Sequence, residues 1–475
     1  MTNQTLASDG RDAQDLATFG YPQQLRRRLG GYASFAAGFS FVSILTTVFQ
    51  LFAFGFSFGG ASFFWTWPLV FCGQLLVAAC FAELAARYPI SGCIYQWARR
   101  LTNPTWGWFA GWVMLIAQIV TVAAAAIALQ VVLPTLWSGF QIVGSDQSLT
   151  STDGATNAVL LGAILVGATT VVNGLGVGAM ARINSIGVTC ELIGVVALVI
   201  LLFTHTERGP SAVLHQTGAT GGIGAFIISA LMAAYVMVGF DSAGELAEET
   251  HDPRRTAPRA ILRALFTSGI GGALLLLGAI LAAPSLTNGD LATGGLPYVL
   301  TSQLGDTVGK VLLADVAIAI CVCTLAIQTA ATRMMFSMSR DRMLPFSERL
   351  GRVSAVTGTP VLPAIVVGAL AIALLLVNVG EASLFTALAS VCIVMLYGAY
   401  LMVTVPMLVR RLRGGWSPSG DGLFSLGRFG LAINAGAVNY GAAMMVNIGW
   451  PRASVYDPAG GLLYLQWFEL LFVGG

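Results

Sequence analysis

From about residue 33 onward the chain alternates long apolar stretches with short polar ones. Runs near 33–56, 63–86, 105–134, 157–177, 183–203, 222–244, 261–283, 310–335, 362–379, 383–409 and 429–449 are each about long enough to cross a hydrocarbon core as a helix. A shorter run at 461–474 carries Glu469 and reads as a twelfth, incomplete helix. The runs lack period-two alternation and exceed strand length, which excludes a membrane barrel. The linkers leave no room for a soluble domain. The pattern predicts an all-α polytopic protein of about twelve spans. A polar segment occupies 1–30, a helical core 31–410, and a loop with the last two helices 411–475.

Composition narrows the class. Only 10% of the 475 residues are charged, 56% are hydrophobic, and mean hydropathy is +0.78, against about 25% charged in soluble domains. A soluble enzyme and a disordered chain are excluded. A net charge of +2 supplies no field for nucleic acid. The seven Cys form no CxxC, and the three His (His205, His215, His251) lie in polar linkers. No metal site or cofactor is expected. The GDTVGK run at 305–310 is one residue short of a P-loop and enters a membrane span, so it carries no phosphate chemistry. The polar N-terminus has no signal-peptide pattern. Twenty-one of the 24 Lys and Arg residues fall on the N-terminal side of the twelve-span layout, and only Arg208, Lys310 and Arg452 on the other. The positive-inside rule therefore predicts an integral protein of the cell (inner or plasma) membrane with a cytoplasmic N-terminus.

Irregularities inside the spans carry the functional signal. In lipid a backbone break is tolerated only beside protein or a cavity. The sixth span reads YVMVGFDSAGELAEET at 235–250, with Gly239 and Asp241 inside it. Ser242 and Glu245 have capping-box spacing. This predicts two half-helices, the second offering free N–H groups and a partial positive charge; the alternative is a glycine that only permits close packing. The first span, GFSFVSILTTVFQLF at 38–52, is interrupted by Ser43, Thr46 and Thr47 among others. Their hydroxyls either cap freed backbone or line a helix interface. Two interrupted spans five apart point to a transporter site between inverted repeats.

Ionisable residues at membrane depth are functional by default. Glu191 stands about eight residues into the fifth span, roughly 12 Å deep. It would hold a proton, bind a cation or pair with another helix. Asp241 is the second candidate. Asp315, near the outer start of the eighth span, reads as interfacial. Gln118, Thr324 and Gln328 are uncharged polar candidates, with inter-helix hydrogen bonding as the plainer reading.

Three long motifs resemble one family. GFDSAGELAEETHDPRRTAPRAI at 239–261, AELAARYPISGCIYQWARR at 82–100 and TRMMFSMSRDRMLP at 332–345 are similar to signatures of the amino acid–polyamine–organocation superfamily. The nearest likeness is to its amino acid/choline branch, which includes 4-aminobutyrate and choline permeases. The resemblance implies a leucine-transporter-type fold: two inverted five-helix repeats plus two further helices, with spans 1 and 6 broken. It places Ser43, Ile44, Leu45, Thr46 and Thr47 in the unwound part of span 1, where relatives hold a substrate carboxylate. Thr47 stands at a position that is commonly Gly. Tyr235 matches an aromatic that closes over substrate, and Gly239 and Phe240 belong to the break. Asp241 matches an acidic position linked to proton coupling. Glu191 falls where some relatives carry a Lys in place of a bound cation.

The expectation is a secondary active transporter of amino acids or related small amines, working by alternating access with a coupling proton or sodium ion. The partners are then a small amine, the ion and the lipid bilayer. The absence of His inside the spans argues against a membrane enzyme. A transporter-like amine sensor lacks a signalling domain. An exchanger of choline or polyamines stays open.

Overall fold

The computed structural model describes residues 3–149, 151–219, 221–287, 289–380, 382–416 and 422–456, with side chains of 3–9, 11, 378 and 380–389 left aside. The twelfth helix read at 461–474, with Glu469, lies outside the described residues. Eight helical stretches are long and apolar enough to cross a membrane. One of them, 31–87, holds two spans, and the shorter apolar helices Gly222–Val236 and Val361–Leu375 complete eleven among the described residues.

In chain order, α1 (Asn3–Thr18) precedes the membrane. α2 (Gly31–Val42) and α3 (Ile44–Gly59) form span 1, and α4 (Thr66–Arg87) forms span 2. α5 (Cys93–Leu101) is a short connection. α6 (Pro104–Ile127) with α7 (Leu129–Leu136), α8 (Thr152–Leu175) and α9 (Val177–Thr204) are spans 3 to 5. α10 (Gly222–Val236) and α11 (Ser242–Glu245) make span 6, and α12 (Pro253–Ala282) span 7. α13 (Asp290–Arg340) bends at Gly295 and Gly305, so span 8 is preceded by a helical excursion that the hydropathy pattern had not separated from linker. α14 (Ser347–Leu350) leads to α15 (Val361–Leu375) with α16 (Val377–Gly380), then α17 (Ala382–Leu412) and α18 (Gly430–Gly449).

Helices in lipid gain little from the hydrophobic effect, so close approach over small residues holds them together. α4 lies on α12 in this way. The Trp67 ring occupies the space a Cβ on Gly272 would need, and the Phe71 ring does the same at Gly269. Trp67 Nε1 also donates to the Gly269 carbonyl at 2.7 Å. At the other end of α4, Glu83 pairs with Arg411 and accepts from Leu426 N–H (3.3 Å), binding the loop beyond α17.

Gly272→Ala should overpack the α4–α12 seam and cost about 1–3 kcal/mol. Thermal unfolding in detergent, followed by tryptophan fluorescence, should show the lowered midpoint. A surface change such as Gly167→Ala, with open space around it, should leave the midpoint unmoved.

Candidate functional site

Both predicted breaks are present. Span 1 breaks at Ser43, whose φ of 34° and ψ of 87° are left-handed values that a non-glycine residue holds only against strain. Several of the groups freed there acquire partners. Thr47 Oγ1 turns back to the Ser43 carbonyl (2.8 Å) and the Val42 carbonyl (3.2 Å). Cys323 Sγ, from α13, donates to the Phe41 carbonyl at 3.7 Å. Glu191 of α9 completes the set. Its Oε1 accepts from Ser43 Oγ at 2.9 Å and from Leu45 N–H at 3.2 Å, while Ser43 Oγ also meets Thr46 Oγ1 at 2.7 Å. A carboxylate from another helix thus caps α3 and meets its partial positive charge. Glu191 Oε2 is buried and has no hydrogen-bond partner.

Span 6 breaks over Met237–Phe240, and Gly239 adopts φ 87°. A Cβ there would enter the Phe41 ring, so the two breaks lie directly on each other. The capping box expected at Ser242–Glu245 does not form. Ser242 Oγ donates instead to the Ala37 carbonyl (3.0 Å), and Glu245 Oε2 accepts from Gly92 N–H (2.9 Å). Asp241 takes the position before α11, with no side-chain cap bond. A tight fold against α2 and the span 2–3 connection outbid the local motif. Tyr400 of α17, not singled out from the sequence, holds the break: its hydroxyl accepts from Gly239 N–H at 2.9 Å and donates to Asp241 Oδ1. Asp241 Oδ2 is buried without a partner. Phe240 packs between Tyr400 and Phe81, with ring centroids at 5.7 and 6.1 Å.

The remaining candidates divide. Gln118 is fully buried on α6 with neither amide atom bonded. Tyr235 is half-buried near the end of α10. The Thr324 hydroxyl is bonded within its own helix, to Ile320 O at 2.9 Å. Gln328 is drawn elsewhere, accepting from Thr169 Oγ1 (2.5 Å) and donating to Thr170 Oγ1 (2.6 Å), both on α8. Thr329 likewise donates to Asn173 Oδ1 at 2.8 Å. Asp315, half-buried on α13, reaches toward α9. Its carboxylate lies against the bare Cα of Gly194 on α9. Beside the breaks is an enclosed void of 10 Å³, lined by Ala37, Asn184, Ser242 and Thr329 among others, room for about one water. A larger groove of 430 Å³ between α6, α17 and α18 is apolar, bordered by Trp106, Met402 and Met445.

The Arg-rich face is sealed by ion pairs that sequence reasoning had assigned only to topology. Glu248 holds Arg340 through two bonds of 2.8 Å and accepts from Ser91 N–H at 3.1 Å. Glu249 pairs with Arg333 at 2.9 Å, and its carbonyl accepts from Arg28 and Leu29 N–H, both at 2.9 Å. Asp341 gathers Tyr21 (2.9 Å), Tyr95 (2.7 Å) and Arg99. Burial, then the Asp341 charge, pushes the Tyr21 phenol above its ordinary range and keeps it a donor. The signal was the Glu248–Glu249 doublet with arginines at the exit of span 8, complementary charges whose meeting only the fold reveals.

The profile of the amino acid permease family matches residues 29–418. Amino-acid permease BAT1 of Arabidopsis thaliana is 27% identical over 92% of this chain and 88% of its own length. Its homolog in Oryza sativa subsp. japonica is 27% identical over 92% of this chain and 87% of its own. Amino-acid permease 2 of Neurospora crassa is 25% identical over 96% and 85%.

Tyr400→Phe should leave Gly239 N–H and Asp241 Oδ1 without this partner, at about 1–3 kcal/mol per buried group; thermal unfolding in detergent should register the loss. Glu248→Ala strands the Arg340 charge, at about 3–5 kcal/mol. Cys93, buried behind this seal, should then be alkylated by a maleimide at least tenfold faster, read by peptide mass spectrometry.

Proposed function

The chain belongs to the amino acid permease family, and on that premise we propose that it is a secondary active permease moving an amino acid or a related small amine by alternating access. It sits in the inner or plasma membrane with a cytoplasmic N-terminus, an orientation supported by the arginine distribution. Substrate lies between the α2/α3 and α10/α11 breaks. Gln118 of α6 supplies an open amide, and Thr324 of α13 and α17 complete the wall. Tyr235 covers the amine, where its ring attracts a cation. Gln328, engaged by α8, serves helix packing. Within the superfamily the motifs favour the 4-aminobutyrate and choline branch.

One observation carries the coupling. Glu191 Oε1 already occupies Leu45 N–H and Ser43 Oγ, the donors that would receive a substrate carboxylate. An ionised Glu191 therefore competes with a zwitterionic substrate. Protonation weakens its acceptor strength and releases both donors, so proton and substrate bind together. This makes proton symport the favoured reading. Asp241, with one oxygen unpartnered, faces the substrate ammonium or shares the proton.

Counterflow in proteoliposomes, which needs no imposed gradient, tests the substrate with labelled amino acids, 4-aminobutyrate, choline and polyamines. Accumulation of a zwitterion is expected; binding without accumulation would overturn transport in favour of an amine sensor. Glu191→Gln should keep counterflow and lose at least tenfold of the acceleration given by an alkaline-inside gradient. Full acceleration persisting in Glu191→Gln combined with Asp241→Asn would overturn proton coupling at these carboxyls.

A further inference from the structure

Asp315 is the one other carboxyl inside the described spans that faces Glu191, and the proposal above leaves it unused. It stands on the outer half of span 8, five residues past Lys310, which is exposed and paired with Asp306 at 2.8 Å. At 1.5 Å per residue that is about 7.5 Å inward from the polar end of the helix. Its neighbours Val311 and Ile318 are exposed on the lipid side, yet its own carboxylate turns inward. Gly194 makes this possible, because a Cβ there would fall on Asp315 Oδ2. Gly194 is three residues beyond Glu191, so the two carboxyls share one face of α9, about 4.5 Å apart along its axis.

Both carboxyls keep an oxygen buried and without a hydrogen-bond partner, Glu191 Oε2 and Asp315 Oδ2. Neither has an ion pair among the described residues. The surroundings hold few other titratable groups. α13 adds Cys323, which contacts the span 1 break. α2 carries only Tyr32, whose hydroxyl meets Thr189 Oγ1 of α9 at 2.7 Å, and α3 carries no ionisable residue. α8 has only Asp153, in its first turn. On α12 the level is marked by Gly271, which faces Ile44 and Val195. The nearest arginine there, Arg263, is eight residues or about 12 Å away along the axis. No cation neutralises the pair, so a mobile proton is the available counter-charge.

We infer that Asp315 is the outer proton station of this transporter, delivering protons along the α9–α13 seam to Glu191. A proton from the outer water binds the Asp315 carboxylate. The Asp315 O–H bond then breaks as the Glu191 O–H bond forms, across one helical turn spanned by side-chain rotation or one water. Asp315 returns to its ionised form. The route reaches the span 1 break from the side and leaves the substrate path free. It rests on Glu191 as the coupling group.

The experiment uses the full chain in proteoliposomes and compares counterflow with uptake driven by an alkaline-inside gradient. Asp315→Asn should keep counterflow within about twofold, slow gradient-driven uptake at least tenfold, and move its half-maximal external proton concentration. Asp315→Glu should restore the rate. Wild-type gradient-driven uptake in Asp315→Asn, alongside its loss in Glu191→Gln, would overturn the outer station and leave Glu191 standing. Retained coupling in Glu191→Gln would overturn the premise itself. Loss of counterflow in Asp315→Asn that Asp315→Glu does not restore would make Asp315 a structural tie between helices, and the inference would fall.

Discussion

A peptide group released from its helix inside hydrocarbon has no water to turn to, so the protein must supply a partner for it. That constraint organises the centre of this molecule. The unwound turn at Ser43 is held by a threonine one turn ahead, a thiol from α13 and a carboxylate from α9. The turn at Gly239 is held by a single phenol from α17. Three elements distant in sequence, α9, α13 and α17, converge on two short stretches of backbone that cannot be left alone. Two of the side chains that satisfy them, Glu191 and Tyr400, are ionisable, and Tyr400 in turn holds Asp241.

The same economy explains the sealed face. Glu245, Glu248 and Glu249 follow the second break by a few residues and reach the span 2–3 connection, the end of α13 and the segment before α2. A buried ion pair is weak evidence for stability, since desolvation offsets much of the attraction. It does fix register: a helix end locked to two arginines and a backbone amide has one place to sit. The breaks and the ion pairs therefore lie at opposite ends of one short lever, residues 239–249.

Much of this was legible in the sequence. Span lengths, the odd separation of the two breaks and the depth of Glu191 follow from hydropathy and bilayer thickness. The run of hydroxyls marked span 1 as a candidate break but left an ordinary helix interface equally open. What the sequence could not reveal was partner choice. Ser242 and Glu245 have capping-box spacing, yet each finds a better-placed backbone group across the fold. Gln328 was a candidate for the pocket with inter-helix bonding as the plainer reading, and only the fold shows that threonines of α8 are its partners. Asp315 reads as interfacial by position along its helix, and only the bare Cα of Gly194 turns it inward. Tyr400 sits in an unremarkable apolar run, and no periodicity marks a phenol that will bridge a glycine amide and an aspartate.

The contact between Phe41 and Gly239 has a mechanical consequence. The ring occupies the space a Cβ on that glycine would need, so sliding the turn of span 6 past the end of α2, or tilting α2 toward the turn, meets it directly. Two hinges that share one aromatic wedge behave as a single joint. A displacement of either half-helix at this level therefore presses on the other through one benzene ring.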